Sequence, residues 1–277
     1  MTVPRLIIIT DLDGSLLDQE TYSYDASLPA IEKLKSLDIP LILCSSKTRS
    51  EISLLWQELG LMDPFIAESG GAICLPPGYF PFPLQGVKPK GSFEVLELGT
   101  DVLKLHKVLM ETAQQFQVKI KSLSMLSPDE ISALTGLTGN AASLALEREY
   151  DEPFLVEEED GQQLFTDLRM KGFSLTRGDR FFHLTGNHDK GKAAKILLNL
   201  YRRTSPEILT VGLGNSANDL SLFCSVDRPV LVRNPDGSWD SEVLRTIPGI
   251  ERTQGIGPYG WREAVEKILA EAIPDPY

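Results

Sequence analysis

The stretch RLIIITDLDGSLLD, residues 5–18, ends an unbroken apolar run in two carboxylates, Asp11 and Asp13, with Gly14 directly behind them. The run 5–10 has no alternation of polar and apolar residues, which is the pattern of a strand buried on both faces. Packing does not explain carboxylates there, because an ionised group is costly to bury unless something compensates it. The plain alternative is a capped turn, since Asp and Gly are ordinary turn residues. What the rest of the chain delivers to the same place decides between the two.

Outward from this strand the sequence alternates. LPAIEKLKSL (28–37) has apolar residues at helical spacing, PLILCS (40–45) is a second buried strand, and RSEISLLWQELGL (49–61) is a second helix. PFIAESGGAICLPPG (64–78) reads as a strand, a glycine turn and a short strand. The same grammar returns downstream, with KAAKILLNLYRR (192–203), EILTVGLG (207–214), DLSLF (219–223) and RPVLVRN (228–234). Strand–helix–strand alternation implies parallel pairing through right-handed crossovers. Between the halves lies other material. GSFEVLELG (91–99) and GFSLTRGDRFFHLTG (172–186) read as half-buried strands, and DVLKLHKVLMETAQQF (101–116) and PDEISALTG (128–136) as helices. The Pro- and Gly-rich LPPGYFPFPLQGVKPKG (75–91) marks the crossing. The expected fold is α/β, a Rossmann-like parallel-sheet core of residues 1–84 and 187–277 interrupted by an α+β insert of residues 85–186.

Composition narrows the function. The 277 residues carry a formal net charge of -12, which disfavours nucleic acid and membrane surfaces as partners because an acidic surface repels phosphate backbones. A small anionic substrate stays possible where cations gather locally. Three cysteines, Cys44, Cys74 and Cys224, show no C-x-x-C spacing, and reduced thiols in a cytoplasmic protein fit best. LIII is too short for a signal sequence or a membrane span. His183 and His188 lack zinc-ligand spacing.

In an open parallel sheet, ligands bind beyond the carboxyl ends of the strands. Asp11 ends the first strand, Ser45 and Ser46 the second, and Asn215 and Asp219 follow EILTVGLG. Carboxylates brought together repel one another, and a hard divalent cation such as magnesium, with oxygen ligands, offsets that. Gly14 permits the tight turn. Lys190 stands at the start of a predicted helix, where the dipole disfavours a cation unless an anion lies close by.

DLDGSLLD resembles the first motif of the haloacid-dehalogenase-like superfamily, the aspartate-nucleophile phosphatases. LILCSSKT resembles the second motif, GNHDKGKA the third and GLGNSANDLSLF the fourth, in that order. Within the superfamily, SSKTRSEI, AESGGAICLPPGYF, LTGLTGNAASLALEREYDEPF, TRGDRFFHL and VLVRNPDGSW are similar to mannosyl-3-phosphoglycerate phosphatases, across both core and insert. The resemblance implies that the insert is a cap domain of the C2B type. It also implies magnesium-dependent release of phosphate from a small phosphorylated sugar acid, a mannosyl- or glucosyl-3-phosphoglycerate. Asp11 is then the nucleophile and Asp13 the acid and base, with Ser45, Ser46 and Lys190 on the phosphate and Asp11, Asp13, Asn215 and Asp219 around the metal. Asp13 would meet the ion by its backbone carbonyl only, since a metal keeps carboxylates ionised.

Lys47, Glu68, Arg148, Arg177, Arg180 and His183 are the expected contacts to the rest of the substrate, arginine being suited to bidentate carboxylate binding. Arg148 also stands three residues from Asp151, at salt-bridge spacing on a helix. Arg177 and Arg180 face opposite ways on a straight strand, so one of them reaches the site unless Gly178 breaks the alternation. The chain departs from the family pattern at Asp179, where a glycine is usual, at Phe182, where a tyrosine is usual, and at Asn215, where an aspartate is usual. Two other readings remain: a phosphatase or phosphomutase of another sugar phosphate, and a weakly active or non-catalytic binding homologue, the latter favoured by Asn215.

Overall fold

The computed structural model describes residues 4–137, 139–157, 161–177 and 181–272. In chain order the elements are β1 (Arg5–Thr10), α1 (Leu28–Ser36), β2 (Leu41–Leu43), α2 (Arg49–Glu58), β3 (Phe65–Ala67), β4 (Ala72–Leu75), β5 (Val87–Lys90), β6 (Phe93–Glu97), α3 (Val102–Phe116), β7 (Ile120–Ser122), α4 (Pro128–Thr135) and α5 (Asn140–Ala145). There follow β8 (Asp151–Val156), α6 (Gln162–Met170), β9 (Ser174–Arg177), β10 (Phe182–Thr185), α7 (Lys190–Arg202), β11 (Ile208–Gly214), α8 (Leu220–Phe223), β12 (Arg228–Arg233), α9 (Ser241–Thr246), β13 (Glu251–Ile256) and α10 (Gly257–Ala272).

β1 is an interior strand, between β11 and β2, of a parallel sheet of order β13-β12-β11-β1-β2. Its alternate residues serve two cores. Leu6 and Ile8 pack with Ile31 of α1 and Trp261 and Val265 of α10, while Ile7 and Ile9 pack with Leu197, Leu198 and Tyr201 of α7. That two-sided burial is why the run is apolar throughout. The chain leaves β1 toward β2 on one side and climbs from β11 to β13 on the other. The order therefore reverses between β1 and β11, and the carboxyl ends of these two strands open the crevice where ligands bind in such sheets. Trp261 Nε1 donates to Thr10 Oγ1 at 2.8 Å and Thr10 Oγ1 donates to the carbonyl of Asp11 at 2.7 Å, so α10 steadies the strand end that carries Asp11.

Two antiparallel sheets complete the molecule, β3-β4-β6-β5 and β7-β8-β10-β9. The first continues from the core, because Cys44 bridges to Ile66 beyond β2. Its strands β5 and β6 fall within the stretch assigned to the insert, yet they pair with each other and, through β6, with β4. In the second, α3 and α6 cover one face, with Leu105, Leu109, Leu164, Leu168, Phe154 and Leu184 at its centre. No helix among the described residues is long and apolar enough to cross a membrane.

Candidate active site

Asp11 N donates to the carbonyl of Leu213 at 2.8 Å, which fixes the end of β1 against the end of β11. Lys190, the first residue of α7, reaches between the two strands. Its Nζ lies 2.6 Å from Asp11 Oδ1 and 2.6 Å from Asp219 Oδ1, with the side chain only 1% exposed. Two buried carboxylates supply the anions that make a cation tolerable at a helix N-terminus. Burial and then the charge of Asp219 push the Asp11 carboxyl up to about 7, against the downward pull of Lys190. Lys190 itself is held above its usual range because Asp11 and Asp219 outweigh its burial.

Asp219 is fully buried, and its Oδ2 accepts from the backbone of Asn215 at 3.0 Å and of Ser216 at 3.3 Å. With Oδ1 on Lys190, both oxygens serve the protein. Asp219 shapes the loop 215–219 and anchors Lys190, which leaves a contact through water as its route to a metal. Asn215, by contrast, lines the cleft beside Asp11 and Asp13. Its Nδ2 donates to Asn234 Oδ1 at 2.9 Å, and its Oδ1 accepts no hydrogen bond among the described residues. Asp13 turns its side chain to Lys47, with Nζ 3.0 Å from Oδ1. Gly14 between them has φ +73°, and a Cβ there would lie 2.4 Å from Asn215 Nδ2. Both facts demand glycine.

Ser45 is buried and its Oγ accepts from Lys47 N at 3.2 Å, while Ser46 reaches the cleft wall. Thr48 caps α2 in a reciprocal box with Glu51 and donates its hydroxyl to the carbonyl of Leu144 at 2.9 Å. The loop after β2 is thus tied to the segment 144–151. Arg148 strengthens the tie: its Nη1 donates to the carbonyl of Ser46 at 2.8 Å and to Asp151 Oδ2 at 2.9 Å. Asp151 Oδ2 also lies 2.7 Å from His183 Nδ1. Burial works to raise the Asp151 carboxyl, but His183 and Arg148 together hold it below the usual range. Arg148 and His183 both line the cleft, as does Arg177, whereas Arg180 lies outside the described residues.

Glu68 lies away from the cleft wall. Expected to touch substrate, it is fully buried, and its carboxylate accepts from the backbone of Glu149 at 2.9 and 3.1 Å and of Tyr150 at 2.7 Å. Glu68 and Ser69 both have positive φ, 47° and 53°, which turns the carboxylate inward. Burial pushes Glu68 up to about 7. An acid whose pKa rises on folding binds more protons in the folded state, so its stabilising contribution is full below its ordinary value and is lost as pH rises through about 7. We expect Glu68→Gln to flatten the decline of Tm between about pH 4.5 and 7 relative to the parent chain. Parallel Tm curves for the two proteins would show that Glu68 does not carry this titration.

Asp11, Asp13, Ser46, Arg177, His183 and Asn215 border one cleft of about 370 Å³. Past Asp13, Ser46 and His183 it leads into a cavity of about 580 Å³, walled by Gln19, Glu20 and Lys47 on one side and by Leu123, Ile131 and Phe181 on the other. The chain is similar to known proteins over this whole arrangement. Residues 8–79 match the model of the haloacid dehalogenase-like hydrolases. A glucosyl-3-phosphoglycerate/mannosyl-3-phosphoglycerate phosphatase of Methanococcoides burtonii is 40% identical over 96% of this chain and 97% of that protein.

The chain belongs to the mannosyl-3-phosphoglycerate phosphatase family of haloacid dehalogenase-like hydrolases.

A relative with the same name from Persephonella marina is 36% identical over 96% of this chain and 98% of that protein. The crystal structure of a haloacid dehalogenase-like hydrolase from Bacteroides thetaiotaomicron has the same fold, with a TM-score of 0.65, 19% identity and coverage of 95% of this chain and 98% of that one. As a phosphatase of this family the chain is a phosphoric monoester hydrolase. Two features of the site escaped sequence reasoning: that Asp151, besides its ion pair with Arg148, also holds His183, and the covering of the Asp11 strand end by Trp261. The sequence signal for Asp151 was its spacing from Arg148.

Proposed function

We propose that the chain releases phosphate from a glucosyl- or mannosyl-3-phosphoglycerate through an aspartyl-phosphate on Asp11. The observation that carries this reading is the continuity of the Asp11–Asp13 cleft with the larger cavity lined by Lys47, Arg148 and His183. One compartment suits a phosphoryl group and the other a sugar acid, and the curated relatives bear the corresponding name over nearly their whole length. We further propose that the residues from α3 to β10 act as the cap and the rest as the catalytic core, with the crossing near residue 100 rather than 84, because β5 and β6 pair with the core strand β4 and α3 packs on the second antiparallel sheet.

In the first step an Asp11 oxygen bonds to phosphorus as the bond from phosphorus to the glycerate oxygen breaks, and Asp13 gives its proton to that alkoxide. In the second, Asp13 takes a proton from water as the water attacks phosphorus and frees Asp11. Lys190 neutralises charge beside Asp11, and the cations Lys47, Arg148 and Arg177, with the ring of His183, face the anionic substrate.

Magnesium is the ion that phosphatases of this superfamily generally use. Among the described residues no group of three or more His, Cys, Asp or Glu side chains is placed to hold a metal. The donor set at the strand ends nonetheless fits a hard cation, since Asn215 Oδ1 and the second carboxylate oxygen of Asp11 are oxygens that accept no hydrogen bond among the described residues. Asp11 and Asn215 would hold the ion, with the backbone carbonyl of Asp13. Bound there, magnesium offsets charge on the phosphoryl oxygens.

Asn215→Asp is expected to lower the half-saturating magnesium concentration by about five- to thirtyfold, the equivalent of roughly 1–2 kcal/mol for a charged over a neutral partner. The Asn234 amide must flip to donate to the new carboxylate. A magnesium titration of both proteins reads the effect, and equal half-saturation points would deny position 215 any influence on metal affinity. The function itself is tested by a phosphate-release screen. Glycosyl-3-phosphoglycerates should exceed hexose phosphates by at least about tenfold in kcat/KM, because a hexose phosphate brings no carboxylate to the basic groups that line the cavity. A preference for hexose phosphates would favour the runner-up reading.

A further inference from the structure

We propose that Tyr22 is a positioning residue for Asp13, acting through Lys47. The inference rests on the reading of Asp13 as proton donor to the leaving alkoxide.

Tyr22 has φ 58°, a left-handed conformation that a bulky side chain adopts only under constraint. The constraint is local. Asp18 Oδ1 accepts from the backbone of Glu20 at 3.1 Å and of Thr21 at 2.8 Å, Tyr22 N donates to the carbonyl of Asp18 at 3.0 Å, and Asp18 N donates to the carbonyl of Ser23 at 2.9 Å. The strained ring is not repaid by the core, for Tyr22 is 39% exposed. Its position places the ring face 4.7 Å from Lys47 Nζ. That ammonium lies 3.0 Å from Asp13 Oδ1, with the lysine side chain 17% exposed.

Asp13 and Glu51 are the carboxylates whose charge acts on the Lys47 ammonium. Glu51 is already engaged, since its Oε2 accepts from Thr48 N at 2.8 Å. The aromatic face closes the remaining side and keeps the ammonium on Asp13. Without the ring the flexible lysine stem has other rotamers, and Asp13 loses the partner that fixes its carboxylate at the cleft.

The test separates the first chemical step for two leaving groups. Glucosyl-3-phosphoglycerate leaves as an alkoxide that needs a proton; p-nitrophenyl phosphate leaves as a phenolate that does not. In rapid-quench measurements on the magnesium-loaded enzyme, Tyr22→Leu should slow the burst of glucosylglycerate release by about tenfold, yet leave the nitrophenol burst within about twofold. Tyr22→Phe, which keeps the ring face, should restore the glucosylglycerate burst. Tyr22→Gly should lose it while melting no lower than the parent, because glycine accepts this φ without strain. A purely structural role would lower both bursts together, and that result overturns the proposal, as does an unchanged glucosylglycerate burst in Tyr22→Leu. Asp13→Asn tells the two levels apart. If it removes only the glucosylglycerate burst, the acid role of Asp13 holds and a null result at Tyr22 overturns the positioning role alone. If it spares both bursts, the reading of Asp13 fails and the proposal falls with it.

Discussion

Asp11→Asn is expected to abolish phosphate release, lowering kcat by about a thousandfold or more while the chain stays folded. An amide oxygen does not form the acyl-phosphate, and removing a nucleophile costs far more than removing a binding contact. The fold should tolerate the change. Burial and Asp219 hold the Asp11 carboxyl at about 7, so its ionised form is the strained one at neutral pH and above. The amide removes that strain, and Lys190 keeps Asp219 as its partner at 2.6 Å. Tm at pH 8 should therefore equal or exceed that of the parent. Turnover within tenfold of the parent, in a folded variant, would sink the aspartyl-phosphate route.

Lys190→Met should show the opposite balance, with loss of both activity and stability. Methionine fills the space but leaves Asp11 and Asp219 buried without a cation. Breaking a buried pair by removing one partner costs about 3–5 kcal/mol, or a fall in Tm of roughly 6–20 °C for a chain of this size. The sign with pH follows from linkage. Without the ammonium, which pulls the Asp11 carboxyl down, that carboxyl rises further, so the folded state binds more protons than the unfolded one and stability falls as pH increases. The deficit relative to the parent should be small near pH 5 and largest near pH 8. Adding Asp219→Asn should recover part of it. An equal deficit at both pH values, read by calorimetry, would mean that lost packing and not charge is responsible.

Much of this site was legible because its chemistry conflicts with its surroundings. Asp11 follows the buried apolar run Leu6–Ile9 and Lys190 opens a helix at its electropositive end; each needs a compensating partner and finds it in the other, while Asp13 finds Lys47. The inward turn of Asp219 and Glu68 was not legible, for a single reason. Each sits in a polar turn that a sequence shows as exposed, and each is turned inward by its backbone to accept N–H groups, those of Asn215 and Ser216 in one case and of Glu149 and Tyr150 in the other. A hydrogen bond between residues 82 positions apart has no trace in local pattern.

The strands that escaped notice fail in the same way. In β13, of sequence ERTQGI, only Thr253 is buried, so nothing in its hydropathy announces an edge strand of the main sheet. The strand VKPKG-side of the β5–β6 hairpin is likewise too polar to name its partner. Tyr22 carries no sequence signal at all, because strain is a property of φ and not of composition.

The placing of β1 beside β11 has a consequence for synthesis. The strand pairs with Ile208–Gly214, about 200 residues further along the chain. At roughly 5–20 residues per second, one edge of the strand that leads into Asp11 waits about 10–40 s on the ribosome for its partner. Ile7, Ile8 and Ile9, wholly buried in the finished molecule, spend that interval on an open edge. The same adjacency that assembles the catalytic cleft thus makes the nascent chain vulnerable to edge-to-edge association, and sets long-range pairing, not local helix formation, as the slow event of its folding.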